Sequence, residues 1–191
     1  LTLTGGGGND TVNASSSPAN ITVSDTGVGG SGADSIVLGA GNNVVFAGAE
    51  VTVGNDTYNG GAAGIDTLDY RANASAITLS VSANSTGGGV SGTAVQAASI
   101  GTDSFLGFSV LVGGAGADTL TVAAAVSNAL TLAGGAGNDS LNASAMTTGL
   151  AVDETGSFGS GVDTLNLGSG SDTVRAGGDS SGTGAVDSYI G

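Results

Sequence analysis

Residues 1 to 50 and residues 130 to 179 align without a gap, and 24 of the 50 pairs are identical. "LTLTGGGGNDTVNAS" lies over "LTLAGGAGNDSLNAS", and most other pairs exchange like for like, among them Ile36 with Leu165, Asp25 with Glu154 and Asn43 with Asp172. After a two-residue insertion the match resumes, with "GNDTYNG" at 54 to 60 facing "GAVDSYIG" at 184 to 191. The chain is therefore about one and a half copies of a unit of 129 to 131 residues. A repeat of this kind points to units that bury their apolar faces against neighbours rather than around one globular core. It also predicts a tandem array in a longer parent protein.

A shorter rhythm runs inside each unit. The pattern G-G-x-G-x-D-x-apolar is complete at Gly5 to Val12, Gly29 to Ile36, Gly113 to Leu120 and Gly134 to Leu141. Weaker forms occur at 53 to 58, 60 to 68, 159 to 165, 168 to 174 and 184 to 189. The aspartates fall at regular steps. Asp10, Asp34 and Asp56 are 24 and 22 apart, and Asp118, Asp139, Asp163 and Asp187 are 21, 24 and 24 apart. A second series steps by 23 from Asn43 to Asp66 and includes Asp172.

Such steps predict one coil of a right-handed parallel β-solenoid per 21 to 24 residues, with the first series stacked on one corner and the second on another. Short alternating stretches, "ITV" at 21 to 23, "ALTLA" at 129 to 133 and "GLAVD" at 149 to 153, read as the strands between corners. At ~4.8 Å per stacked strand the rod would be roughly 40 Å long. The expected divisions are solenoid coils over 1–70, degenerate coils or a β excursion over 71–112, and coils repeating residues 1 to 60 over 113–191.

The chain has 38 glycines but one proline, which excludes collagen and proline-rich spacers. Its 39% hydrophobic content is too high for a disordered linker. Sixteen acids face two arginines, with no lysine or histidine, for a formal charge of −14. That balance repels nucleic acid and anionic membranes and attracts cations. Without cysteine there is neither a disulfide framework nor a thiolate metal site. No apolar run approaches the ~18 residues of a membrane span, and no targeting segment follows Leu1.

The remaining question is what a glycine-rich corner with one carboxylate is for. Glycine permits sharp turns that aim several carbonyl oxygens inward. Ca²⁺ takes six to eight oxygens, carbonyl or carboxylate, in a loose geometry, whereas zinc prefers His or Cys and magnesium keeps its water. The predicted calcium positions are Gly6, Gly8 and Asp10; Gly30, Gly32 and Asp34; Gly41 and Asn43; Gly54 and Asp56; Gly61, Gly64 and Asp66; Gly114, Gly116 and Asp118; Gly135, Gly137 and Asp139; Gly159, Gly161 and Asp163; Gly168, Gly170 and Asp172; and Asp187. Asn43, the overlong 60 to 68 motif and the glycine-poor 184 to 189 motif should bind least. The apolar residue two positions after each acid (Val12, Ile36, Tyr58, Leu68, Leu120, Leu141, Leu165, Val174, Tyr189) should pack inside, with the aspartate on the opposite side. Stacked carboxylates repel, so folding is expected to require Ca²⁺, the metal-free chain being largely unfolded.

These nonapeptides resemble the calcium-binding repeat of the RTX (repeats-in-toxin, haemolysin-type) family. "DTLDY" at 66 to 70 and "GTDSFLGFSVLVGGAGADTL" at 101 to 120 resemble the phrases that join such blocks in large secreted proteins. The chain departs from a standard β-roll in that only 29–37 with 38–46, and 158–166 with 167–175, are contiguous pairs. The resemblance implies an extracellular bacterial protein. One reading is a structural repeat of a filament, sheath, surface layer or adhesin stalk that folds, and self-associates into a polymer, on binding Ca²⁺. The alternative is a secretion and folding module of a type I-secreted enzyme or toxin.

Other candidates carry less. Asp69, Tyr70 and Arg71 read as a strand-end cluster with a local salt bridge, and Asp103 as a turn or capping residue. With the carboxylates committed to corners and no His, Lys or Cys available, no nucleophile and base can be assembled, so an enzyme is not expected. Neither nucleic-acid binding nor membrane insertion is expected. The Asn-x-Ser/Thr triplets at Asn13, Asn20, Asn73, Asn84 and Asn142 occur as chance predicts in such a composition.

Overall fold

The fold was obtained as a computed structural model, which describes residues 1–5, 7–25, 32–48, 54–84, 88–97, 101–155, 159–176 and 188–190. Seven short strands come first: β1 (Thr2–Thr4), β2 (Thr11–Asn13), β3 (Thr22–Asp25), β4 (Ser35–Val37), β5 (Val44–Ala47), β6 (Thr57–Asn59) and β7 (Thr67–Asp69). Three longer strands follow, β8 (Ile77–Ala83), β9 (Val90–Gln96) and β10 (Thr102–Phe108). The chain then continues through β11 (Val110–Val112), β12 (Thr119–Val122), β13 (Thr131–Ala133), β14 (Gly135–Ala136) and β15 (Ser140–Asn142). It closes with β16 (Ala151–Glu154), β17 (Gly159–Ser160), β18 (Thr164–Asn166), β19 (Thr173–Ala176) and β20 (Ser188–Ile190).

Successive strands alternate between two large sheets. One has the order β1-β3-β5-β7-β11-β13-β16-β19 and the other β2-β4-β6-β10-β9-β8-β12-β15-β18-β20. All pairings are parallel except those of β9. The chain is thus an all-β solenoid of about seven turns. Where one coil follows directly on the last, paired residues lie 20 to 24 apart, as with Thr2 and Thr22 or Thr11 and Ser35.

Two interior columns make the core. In the first sheet, Leu3, Val23, Val45, Leu68, Leu111, Leu132, Val152 and Val174 lie in register. In the second, Val12, Ile36, Tyr58 and Phe105 form one run and Leu79, Leu120, Leu141, Leu165 and Tyr189 another. Because strand side chains alternate, one apolar residue per three-residue strand suffices to fill each column. Tyr189 departs from the expectation of burial, being 44% exposed. It lies on β20, the last described strand of its sheet.

Between β7 and β11, within the segment expected to be degenerate coils or a β excursion, the chain makes a β excursion in the second sheet. β8, β9 and β10 form an antiparallel meander that occupies three positions between β6 and β12, while β7 and β11 pair directly in the other sheet. The second sheet is therefore two strands taller. Along β8, Ile77, Leu79 and Val81 are buried and Thr78, Ser80 and Ser82 exposed.

Candidate calcium-binding corners

Each coil turns twice, and the motif acids stand at the necks of both turns. At the first corner the backbone N–H of Asp10 donates to Oδ1 of Asp34 at 2.7 Å, that of Asp34 to Asp56 at 2.8 Å, and that of Asp56 to Asp103 at 3.1 Å. Beyond the excursion the N–H of Ile77 donates to Oδ1 of Asp118, that of Asp118 to Asp139, and that of Asp139 to Asp163, at 2.7, 2.8 and 2.8 Å. At the second corner the N–H groups of Ile21, Asn43 and Leu150 donate to Oδ1 of Asn43, Asp66 and Asp172. One carboxylate oxygen of each acid thus satisfies a backbone donor left over where the preceding coil turns.

The acids are buried: Asp34, Asp56, Asp66, Asp118, Asp139 and Asp163 are at most 5% exposed, with Asp10 and Asp172 half-buried. This corrects the expected placement on the side opposite the apolar residue. A side-chain period of two puts positions i and i+2 on the same face, so Asp34 shares its face with Ile36, and Tyr58 donates its hydroxyl to Oδ2 of Asp56 at 2.7 Å.

Burial raises the carboxyl pKa values above the ordinary 3.8. Desolvation is the main cause at Asp66, Asp103 and Asp118, each pushed to about 6, and at Asp139, pushed to about 7, where the charges of Asp118 and Asp163 add to it. Backbone N–H groups on the carboxylates pull the other way at all four. The second oxygens of Asp34 and Asp139 are buried without a hydrogen-bond partner. Such an oxygen requires a proton or a cation.

Asn43 displays what the corner gathers. Its amide nitrogen donates to the carbonyl oxygens of Gly39 (3.2 Å), Gly41 (2.9 Å) and Gly60 (2.9 Å), the last from the following coil. Three carbonyls from two coils thus converge on one electropositive group at the motif position, and this oxygen-only donor set fits calcium. Where the residue is an acid, the carbonyls and the second carboxylate oxygen would hold the ion jointly. The ion supplies positive charge that neutral glycine corners lack.

The glycines set the coil spacing. Gly8, Gly32, Gly61, Gly64, Gly135, Gly137 and Gly161 have positive φ. A Cβ on Gly61, at φ 116°, would overlap the carbonyl oxygen of Gly39 in the coil before. Gly41, Gly114, Gly116, Gly168 and Gly170 approach the backbone of neighbouring coils as closely, Gly54 is buried under Gly101, and Gly159 pairs with Gly135. Gly6, Gly30 and Asp187 lie outside the described residues.

Asp103 departs from its expected place in a turn. It lies fully buried in β10, takes the N–H of Asp56, and its Oδ2 accepts the Tyr70 hydroxyl at 2.9 Å. The phrase "GTDSF" carries the same G-x-D-x-apolar spacing as the motifs, and that was its signal. Asp69 and Arg71 do form the strand-end salt bridge. A further ladder had a visible signal in the repeated "GN" before the acids. Oδ1 of Asn9, Asn42, Asn55 and Asn138 accepts an N–H from the next coil, from Ala33, Ile65, Thr102 and Val162. The Asn55-Asp56 and Asn138-Asp139 pairs therefore tie their coils in both directions.

The family model described as RTX calcium-binding nonapeptide repeat (4 copies) matches residues 2–16, 23–50, 106–124, 131–145 and 159–180. Comparison with curated proteins and with solved structures gives no match.

Proposed function

The chain belongs to the RTX calcium-binding nonapeptide-repeat family, and we propose that it is a structural segment of a secreted bacterial surface or extracellular protein. It is a Ca²⁺-binding repeat module, and repeats of this family occur in secreted, extracellular bacterial proteins. In this reading the chain is not an enzyme. Ca²⁺ met outside the cell neutralises the buried carboxylates and locks coil to coil, and tandem units stack end to end into a filament, sheath, layer or stalk.

The observation that carries the structural reading is the repeat itself, in which 24 of 50 aligned residues are identical between 1 to 50 and 130 to 179. Both copies are built into the same stack of coils, Val23 and Val152 in one apolar column and Ile36 and Leu165 in the other sheet. Coil-on-coil stacking is the interaction from which this fold is built, and it suits units that continue one another end to end.

The test is far-UV circular dichroism and sedimentation of the purified 191-residue chain as calcium is raised from chelator, with magnesium as control. Calcium-specific gain of β-structure with growth to large species supports the assembling structural repeat. Folding without association favours the secretion and folding module of an enzyme or toxin. Indifference to calcium overturns the metal reading.

A further inference from the structure

Asp25 lies outside every nonapeptide motif, at the end of β3 in the first sheet, nine residues before Asp34. It is 3% exposed, and its carboxylate lies with those of Asp34 and Asp56 so that one oxygen of each falls within 4.8 Å of the others. Asp34 and Asp56 are themselves 3% and 2% exposed. Oδ1 of Asp34 is committed to the N–H of Asp10, and its Oδ2 has no hydrogen-bond partner.

The Tyr58 hydroxyl lies 2.9 Å from Oδ2 of Asp25 and 2.7 Å from Oδ2 of Asp56. A phenol has one proton and can donate to only one of them. The molecule's two basic side chains are engaged elsewhere. Arg71 pairs with Asp69, and Arg175 stands exposed on β19, in register with Asp153. Among the described residues, three buried carboxylates therefore share one side-chain hydroxyl and no cationic side chain.

We propose that Asp25, Asp34, Asp56 and the Tyr58 hydroxyl form an interior divalent-cation site, of a different ligand set from the glycine-carbonyl corners, that takes Ca²⁺. The inference rests on the reading that this chain binds calcium. Hard oxygen ligands exclude zinc as the preferred ion, and enclosure disfavours magnesium, which gives up its water reluctantly. The site clamps two successive levels of the solenoid, since Asp25 ends β3 and Asp34 precedes β4 in one coil while Asp56 precedes β6 in the next. Small neighbours leave it room: Asp25 is paired with Ala47 on the next strand of its sheet.

The second copy keeps buried acids at two of these positions, the counterpart of Asp56 lying outside the described residues. Glu154 aligns with Asp25 and Asp163 with Asp34, they are 3% and 2% exposed, and Glu154 is paired with Ala176 as Asp25 is with Ala47. An acid is thus kept at a position where neither calcium-binding motifs nor strand propensity asks for one.

Terbium is the probe, because it replaces calcium and luminesces when a nearby tyrosine is excited. The chain has three tyrosines and no tryptophan. Calcium stoichiometry by titration calorimetry and sensitised terbium emission are measured on the full chain, on Asp25→Asn and on Tyr58→Phe, with circular dichroism in saturating calcium as the fold check. The expected result is one calcium fewer in Asp25→Asn with loss of most of the emission although Tyr58 remains, and loss of most of the emission in Tyr58→Phe. Unchanged stoichiometry and emission in Asp25→Asn, with calcium still bound at the corners, overturns this site alone. Emission that persists in Tyr58→Phe also overturns it and covers the case in which Asp25→Asn fails to fold. A parent chain that binds no calcium overturns both this site and the reading beneath it.

Discussion

The backbone N–H of Asp139 donates to Oδ1 of Asp163, 24 residues later, at 2.8 Å. The same bond joins Asp118 to Asp139 one coil earlier. An acid in this ladder is both donor, through its backbone, and acceptor, through its side chain. Stacking therefore satisfies the backbone while placing like charges in a column, and the two effects oppose each other at neutral pH.

The first prediction concerns pH without metal. Asp25 is pushed to about 7, chiefly by burial, Asp139 to about 7, and Asp66, Asp103 and Asp118 to about 6, against 3.8 for an ordinary aspartate. A raised carboxyl pKa means that the folded state holds protons the unfolded chain releases. Its contribution is fully present below 3.8 and is lost as pH rises through 6 to 7. In chelator, the urea midpoint should fall steadily from pH 4 to pH 7.5, whereas saturating calcium should remove most of that slope. A midpoint that rises with pH in chelator would contradict the buried charge ladder.

The second prediction separates backbone conformation from coil spacing. Gly8 and Gly61 have nearly the same φ, 115° and 116°, but a Cβ on Gly8 meets nothing within 4 Å while one on Gly61 overlaps the Gly39 carbonyl oxygen. Alanine at either site costs about 1–3 kcal/mol for the unusual backbone. Gly61→Ala should cost roughly 1–3 kcal/mol more, because the coils must separate. Denaturant unfolding in saturating calcium measures both, and equal losses would mean that glycine serves conformation alone.

The third prediction concerns Tyr70. Its hydroxyl donates to Asp103 Oδ2, and burial raises its own pKa well above 10. Tyr70→Phe leaves that oxygen with Gln96 Nε2 at 3.5 Å, so the fold should lose about 1–3 kcal/mol, the cost of an under-satisfied buried polar group. The loss should be larger in chelator at pH 7.5 than at pH 4, where a protonated Asp103 needs less support. A loss independent of pH would place the carboxylate in water.

The coil length, the two corners and the apolar columns were legible because each depends on spacing along the chain, and spacing survives in a linear pattern. Asp34 and Asp66 could be assigned to different corners from their steps alone. Asp25 could not, since nothing local marks it; its meaning comes from Asp56, 31 residues away in the next coil, and from the hydroxyl of Tyr58. The excursion of β8 to β10 was legible only as one of two readings of residues 71 to 112. Its strands alternate as well as any coil strand, and only the pairing of β7 with β11 reveals that the chain left the solenoid path and returned.

Asn43 supplies the last prediction. Its amide holds the Gly39, Gly41 and Gly60 carbonyls with hydrogens where other corners offer a second carboxylate oxygen. Asn43→Asp keeps the shape and the Oδ1 acceptor for the Ile21 N–H but turns three favourable contacts into oxygen facing oxygen. In chelator at pH 7.5 the variant should lose about 3 kcal/mol or more, the scale set by an uncompensated buried charge. In calcium the carbonyls and the new carboxylate become a complete oxygen set, so stability should return and the bound calcium count should rise by one. The aligned residue in the second copy is Asp172, which makes the reciprocal change informative: Asp172→Asn should lower the calcium count and make its corner insensitive to chelator. If Asn43→Asp is destabilised equally with and without calcium, the glycine carbonyls do not converge on a cation position, and the corners owe their glycines to chain packing alone.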